Sequence, residues 1–167
     1  MRNGGRRLKL EKKIRPLNQL KRITASLKKS GKKIVFTNGC FDLLHYGHVK
    51  YLEGAKNKGD ALIVAVNSDG SVKKLKGKNR PLVSGKYRQR VLAALECVDF
   101  VVLFNEETPL KTIIALKPDV LVKGGDWKQK DIVGSDFVKS CGGKVFSIGF
   151  VKGFSSSALI RKIKKGH

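Results

Sequence analysis

The stretch Ile34 to Glu53, IVFTNGCFDLLHYGHVKYLE, constrains the fold of this chain more than any other. It begins as an apolar run, passes through the short turn Thr37-Asn38-Gly39-Cys40, reaches the pair His45-Tyr46-Gly47-His48, and continues into a helical pattern carrying Leu52 and Ala55. A strand feeding a loop and then a helix aims backbone N–H groups and a positive helix end at one spot, where a phosphate is held most easily. His45 and His48 bracket that spot, and Gly47 between them lets the backbone approach a ligand closely. Spacing alone leaves three readings open: a phosphate or nucleotide site, a pair of metal ligands, or two surface histidines. Against a metal, no third ligand of suitable type lies nearby in sequence, and the one other histidine is His167 at the C-terminus.

With 167 residues, 41% of them hydrophobic, the chain is expected to be one ordinary domain (33–167) preceded by a basic extension (1–32). It leaves no room for a second enzyme, and it can bury about two-thirds of its unfolded surface. The three cysteines Cys40, Cys97 and Cys141 are odd in number and form no CxxC, so neither a disulfide framework nor a zinc site is indicated. A reducing cytoplasm is the expected setting. No apolar run approaches the ~20 residues that span a bilayer, and the N-terminus carries charges where a signal peptide needs an apolar stretch.

Charge is extreme, with 36 Lys and Arg against 13 Asp and Glu for a formal +23. Such a balance ordinarily points to nucleic acid. Residues 1–33, however, hold 13 basic side chains against Glu11 alone, so +12 of the +23 precedes the first strand. The rest is spread through the domain and the C-terminal RKIKK, as suits either an enzyme that handles anions or a lysine-rich genome. No RNP-like aromatic stretch, helix-turn-helix pattern or zinc finger is legible, which argues against nucleic acid as the main partner.

Met1 to Lys13 reads as polar, basic and without packed structure. Leu17, Leu20, Ile23 and Leu27 at helical spacing predict one amphipathic helix over Pro16–Lys29. Beyond it, strands are predicted at Lys33–Thr37, Leu62–Asn67, Phe100–Phe104, Val120–Lys123 and Val145–Ile148. Helices are predicted at Val49–Lys58, Lys86–Leu95, Pro109–Leu116, Gly134–Ser140 and Ser155–Lys164. Regular alternation of this kind gives an α/β, Rossmann-like, doubly wound parallel sheet of about five strands with helices on both faces. Its ligand crevice belongs at the carboxyl ends of the strands, where the winding reverses. Three turns fall on that rim: Thr37-Asn38-Gly39-Cys40, Ser68-Asp69 and Gly124-Gly125-Asp126.

GCFDLLHYGHVKYLE resembles the first signature of the HxGH nucleotidyltransferase superfamily, and GFSSSALIR at Gly153–Arg161 resembles its second. The segments VNSDGSVKKLKGKNRPL, RVLAALECVDFVV and PDVLVKGGDW narrow the likeness to the heptose 1-phosphate adenylyltransferases, over roughly Lys33 to Ile163. That resemblance implies transfer of AMP from ATP to a sugar phosphate for lipopolysaccharide or a related glycan, with Mg²⁺ accompanying the triphosphate and no protein metal cage. His45, His48 and Lys76 are the implied catalytic residues, with Lys78 a second choice for the lysine. Nucleotide binding is implied for Phe36, Thr37, Asn38, Gly39, Cys40, Gly47, Gly125, Asp126, Ser155, Ser156 and Ser157, together with the catalytic three. For the acceptor, Asp42, Lys123 and Trp127 are implied.

Several of these carry plainer alternatives. Asp42 either orients a histidine or the acceptor, or simply holds its own turn. Trp127 either walls the site or packs in the core, Ser155–Ser157 cap a helix as well as facing phosphate, and Arg90 either reaches the site or pairs on the surface. Lys76 and Lys78 sit in a glycine-containing segment that reads as mobile, suited to closing over a ligand. Some relatives place an arginine shortly before the second signature, whereas Phe150 and Val151 stand here with Lys152 the one basic residue. A glycerol 3-phosphate cytidylyltransferase is the alternative within this chemistry, and a basic nucleic-acid-binding module the alternative outside it. Oligomeric state stays open, with a homo-oligomer compatible.

Overall fold

A computed structural model describes residues 9–149, 151 and 153–166. Strands β1 (Ile34–Gly39), β2 (Ala61–Asn67), β3 (Phe100–Phe104), β4 (Val120–Gly124) and β5 (Lys144–Ile148) form one parallel sheet in the order β3-β2-β1-β4-β5. Seven helices join or flank them: α1 (Leu17–Lys29), α2 (Tyr46–Lys56), α3 (Asp69–Lys76), α4 (Gly85–Ala93), α5 (Leu110–Leu116), α6 (Ser135–Ser140) and α7 (Ser156–Lys164).

The period-two geometry of a strand sends alternate side chains to opposite faces, and both faces here are apolar. Ile34, Phe36, Ala61, Ile63 and Ala65 pack on one side with Leu20 of α1, Ile113 and Leu116 of α5 and Val138 of α6. Val35, Leu62, Val64 and Val66 pack on the other with Leu52 and Ala55 of α2 and Leu92 and Ala93 of α4. Full burial of each such Leu or Ile contributes roughly 1.5–3 kcal/mol, so strands with no polar face are stable only when covered twice. Among the described residues, no helix is long and apolar enough to cross a membrane.

Three local expectations change. The segment before α1 is packed from residue 9: Lys9–Lys12 form a 3-10 turn, Leu10 and Ile14 lie against the core, and Ile14 bridges Val101 of β3. The Val101 amide donates to the Lys13 carbonyl at 2.9 Å and the Arg15 amide to Val101 at 3.0 Å, so this segment covers part of an edge strand that would otherwise stay open. Residues 1–8 lie outside the described part. Helix α2 begins at Tyr46 rather than Val49. Helix α3 replaces part of the segment read as mobile: Ser68 caps it by accepting from the Ser71 amide at 3.3 Å, Lys76 is its last residue, and Gly77 ends it at φ 95°.

Candidate active site

Between β1 and β4 the winding of the sheet reverses, and there the strands part. The ladder pairs Val35 with Val120 and Phe36 with Leu121 and goes no further, although both strands run on toward the carboxyl rim. Tyr51 of α2 fills the split. Its hydroxyl hydrogen-bonds the Thr37 hydroxyl on one strand and donates to the Val122 carbonyl on the other at 3.2 Å. Gly124 accommodates the ring, since a Cβ there would stand 3.3 Å from it. Burial pushes the Tyr51 phenol up, so it stays protonated. The wedge holds the first turn of α2 over the opening of the crevice, at the place expected for a ligand in a doubly wound sheet.

His45 is the N-cap residue of α2, and its side chain makes no capping hydrogen bond. Its ring stacks on that of His48, 3.8 Å between centroids and 26° between planes, while the Phe41 ring lies 5.3 Å from that of His48, tilted by 58°. The approach requires Gly47: a Cβ there would lie 3.1 Å from both the His45 ring and Phe154. Among the described residues neither Nδ1 has a partner, although both are buried. Burial, followed by the charges of His45 and Lys76, pushes the His48 imidazole down to about 4, and burial lowers His45 as well. Neutral imidazoles at a helix amino end offer N–H donors without competing carboxylates.

One buried residue that local sequence did not single out holds the rim together. Arg88 of α4, 1% exposed, donates through Nε to the Val83 carbonyl at 2.8 Å and through its terminal nitrogens to the carbonyls of Cys40 (2.5 Å) and Asn67 (2.8 Å) and to Asp69 Oδ1 (2.7 Å). One planar guanidinium thereby ties the loop after β1, the end of β2, the start of α3 and the entry to α4. Asp42 does similar work beside it, accepting from Arg80 Nε at 2.6 Å and from the Leu82 and Val83 amides at 2.8 and 2.9 Å. Burial raises the Asp42 carboxyl, but the Val83, Leu82 and Arg80 donors outweigh it and hold it below its ordinary value. Of the two roles open to Asp42, the contacts are those of a loop clamp. Lys76, exposed at the end of α3, is close enough for its charge to act on His48, while Lys78 lies in the turn beyond.

The other implied residues divide by position. Phe36 and Thr37 are fully buried and do not open onto the rim; Asn38, Gly39 and Cys40 are partly exposed there. Lys123 lies half-buried on the β4 side, its ammonium pushed down by burial with Cys40 acting in the opposite sense. Gly125 turns the chain at φ 109°, Asp126 is exposed, and Trp127 is 49% exposed, which removes the core alternative for that ring. Ser155 accepts from the Ala158 amide at 3.0 Å as the α7 cap, Ser156 donates to the Leu43 carbonyl at 3.0 Å and so ties α7 to the histidine loop, and Ser157 is exposed. Phe154 packs 6.3 Å from the His45 ring and 5.3 Å from Tyr46. Arg90 pairs with Glu11 at 3.8 Å on the surface. Phe150 and Lys152 lie outside the described residues.

Among the described residues, no group of three or more His, Cys, Asp or Glu could hold a metal ion. Asp42 and Asp69 already accept two or more hydrogen bonds each, which leaves Asp126 as an uncommitted rim carboxylate. The residues present therefore do not form a protein-built magnesium site.

Comparison with known proteins converges on this region. The profile of the cytidylyltransferase-like family matches residues 36–161. The bifunctional protein HldE of Geobacter metallireducens is 54% identical over 93% of this chain and 32% of its own length, and that of Campylobacter jejuni subsp. doylei is 56% identical over 95% and 33%. The chain thus spans about a third of the length of these curated relatives. Among solved structures, a lipopolysaccharide core biosynthesis protein from Thermoplasma volcanium superposes with a TM-score of 0.61 at 31% identity, covering 74% of this chain and all of that one. A pantothenate synthetase from Thermus thermophilus, at 16% identity, TM-score 0.61, and coverage of 92% of this chain and 70% of that one, shares the fold.

Proposed function

Because the chain belongs to the cytidylyltransferase-like family of nucleotidyltransferases, we propose that it transfers AMP from ATP to a heptose 1-phosphate, releasing pyrophosphate, for lipopolysaccharide or a related glycan precursor. The observation that carries the chemistry is the stacked, neutral His45–His48 pair at the start of α2, above the split in the sheet and within electrostatic reach of Lys76. The choice of sugar rests on PDVLVKGGDW, on the similarity to HldE proteins, and on the similarity to a lipopolysaccharide core biosynthesis protein.

In this reaction an acceptor phosphate oxygen forms a bond to the α-phosphorus while the bond from that phosphorus to the bridging oxygen breaks. The acceptor is already an anion, so no side chain has to remove a proton. The barrier falls through positioning and through countering charge as it develops on the α-phosphoryl oxygens and the leaving pyrophosphate. The amino end of α2 supplies unpaired amides and a positive dipole end for the triphosphate. His45 and His48 donate N–H hydrogen bonds that strengthen as charge builds, and Lys76 approaches from the end of α3 as a point charge. The amino end of α7, with the hydroxyls of Ser155 and Ser157, closes the phosphate side.

Asn38, Gly39 and Cys40 line the floor, Gly125 and Asp126 face the ribose, and Lys123 and Trp127 face the acceptor. Asp42 acts here by fixing the 80–83 loop. Mg²⁺ bound to the nucleotide would neutralise part of the triphosphate charge, and none of the roles above depends on its position. Pyrophosphate release from purified protein, measured for ATP and CTP against heptose 1-phosphate and glycerol 3-phosphate, tests the proposal. Turnover confined to ATP with the heptose supports it. Turnover confined to CTP with glycerol 3-phosphate would replace it with the cytidylyl reading that the family description favours. Salt-sensitive binding of arbitrary RNA, with no pyrophosphate from any pair, would replace both.

A further inference from the structure

The histidine crevice is not the one concavity of the described protein. A cavity of about 630 Å³ opens at the opposite, amino-terminal end of the sheet. Lys33 precedes β1, Asp119 precedes β4 and Lys144 begins β5, while Lys28 and Lys32 come from the end of α1 and Lys58 from the turn after α2. Six residues of β1 separate this end from the catalytic rim, a distance of about 20 Å at ~3.3 Å per residue. A volume of a few hundred Å³ is what small ligands occupy.

Some of this charge has a structural purpose. Helices α1, α2 and α6 all end at the cavity, and lysines near helix C-termini complement their partial negative charge. Lys28 pairs with Asp119 at 3.1 Å, and Lys32 lies 3.7 Å from Asp60. Lys33, Lys58 and Lys144 form no ion pair among the described residues, and Lys58 instead lies 4.9 Å over the ring of Phe146. Five lysines and one aspartate line the space. With Asp60 and three helix ends of about half a negative charge each set against them, an excess of roughly one to two positive charges remains. Lysines present only to neutralise helix ends would leave no such surplus.

We propose that this lysine-lined cavity is a second, non-catalytic binding site for a small phosphorylated anion of two or more negative charges. Its phosphate would lie among the ammonium groups of Lys33, Lys58 and Lys144, with Phe146 as the apolar wall. Since the lining residues take no part in the histidine site, the inference stands whichever nucleotidyl transfer the enzyme performs.

The test is amide NMR of the ¹⁵N-labelled full chain titrated with inorganic tripolyphosphate, following Gly31, Lys33, Asn57, Gly142 and Lys144 at the cavity and Gly47 at the crevice. The cavity amides are expected to shift along one saturable curve, separate from that of Gly47. In K58E/K144E the cavity curve should weaken by about tenfold, roughly 1.4 kcal/mol, while the Gly47 curve and pyrophosphate release stay within about twofold, and K58A/K144A should show the same with a smaller loss. Cavity amides that do not move, that drift without saturating in step with distant Lys111 and Lys162, or that respond identically in both double variants would each overturn the proposal. So would tighter binding of a short single-stranded RNA at these amides than of tripolyphosphate, which would make the cavity part of a polyanion track.

Discussion

Replacing Arg88 with Met should damage both stability and catalysis, because the methionine keeps much of the stem and removes only the guanidinium. Three carbonyls, Val83, Cys40 and Asn67, lose their donor, and Asp69 loses its partner. An acceptor left unmet in a buried place costs about 1–3 kcal/mol, and Asn67 is 3% exposed. Asp69 is less affected, since its side chain is 43% exposed and water can replace the lost pair. The desolvation borne by a buried guanidinium is relieved at the same time. Together these place the loss at about 3–5 kcal/mol, within a typical stability of 5–15 kcal/mol. The variant should therefore fold, with Tm lower by roughly 6–20 °C for a chain of this size. Because the Cys40 loop and the start of α3 lose their shared tether, kcat/KM should fall further than stability predicts when assayed well below Tm. Arg88→Lys should rescue little, since one ammonium lacks the fork that reaches four acceptors. Thermal melts and pyrophosphate release at low temperature read both effects. A Tm within about 2 °C of the parent together with unchanged kcat/KM would refute the argument that Arg88 assembles the rim.

Three further outcomes are expected. His48→Ala and His45→Ala should each leave the far-UV spectrum intact and lower kcat by more than tenfold, about 1.4 kcal/mol or more; near-parental turnover in either would remove the histidines from the mechanism. The His48 imidazole, near 4 in the fold against 6.5 unfolded, is protonated more readily by the unfolded chain, so its contribution is full above pH 6.5 and is lost as pH falls through 4; the parent's urea midpoint should fall relative to that of His48→Gln across that window, and parallel profiles would contradict the assignment. Lys76→Ala should lower kcat/KM more than Lys78→Ala, with a loss that survives moderate salt; equal, salt-erasable losses would make both mere contributors to the field.

The strands were legible because each carries a short apolar run, continuous and buried on both faces in the central β1 and β2, and the histidine motif because its chemistry is compressed into four adjacent residues. Helix α3 was not, since Asp69–Lys76 offers Val72 and Leu75 as its whole apolar signal and carries Gly70 near its start. Leu10 and Ile14 looked like isolated hydrophobics in a basic tail, and only the open edge of β3 explains where they go. Tyr51 reads as one more core residue of an amphipathic helix. Its bridging role exists because β1 and β4, far apart in sequence, separate at Phe36 and Leu121. Arg88 is the extreme case: its partners lie 5, 19, 21 and 48 positions away, so no local pattern marks it. For Asp42 and Trp127 the sequence allowed two roles each, and the hydrogen bonds of one and the exposure of the other distinguish them.

In the proposed reaction the phosphorus moved is the α-phosphorus of ATP, and its acceptor is a sugar phosphate. Supplying the protein with α-³²P-ATP and, separately, γ-³²P-ATP, with heptose 1-phosphate in each case, tests it most directly. The α label should appear in a sugar nucleotide that resists phosphatase, and the γ label in pyrophosphate alone. Transfer of the γ label to the sugar, or retention of the α label in AMP or ADP with none on the sugar, would contradict it.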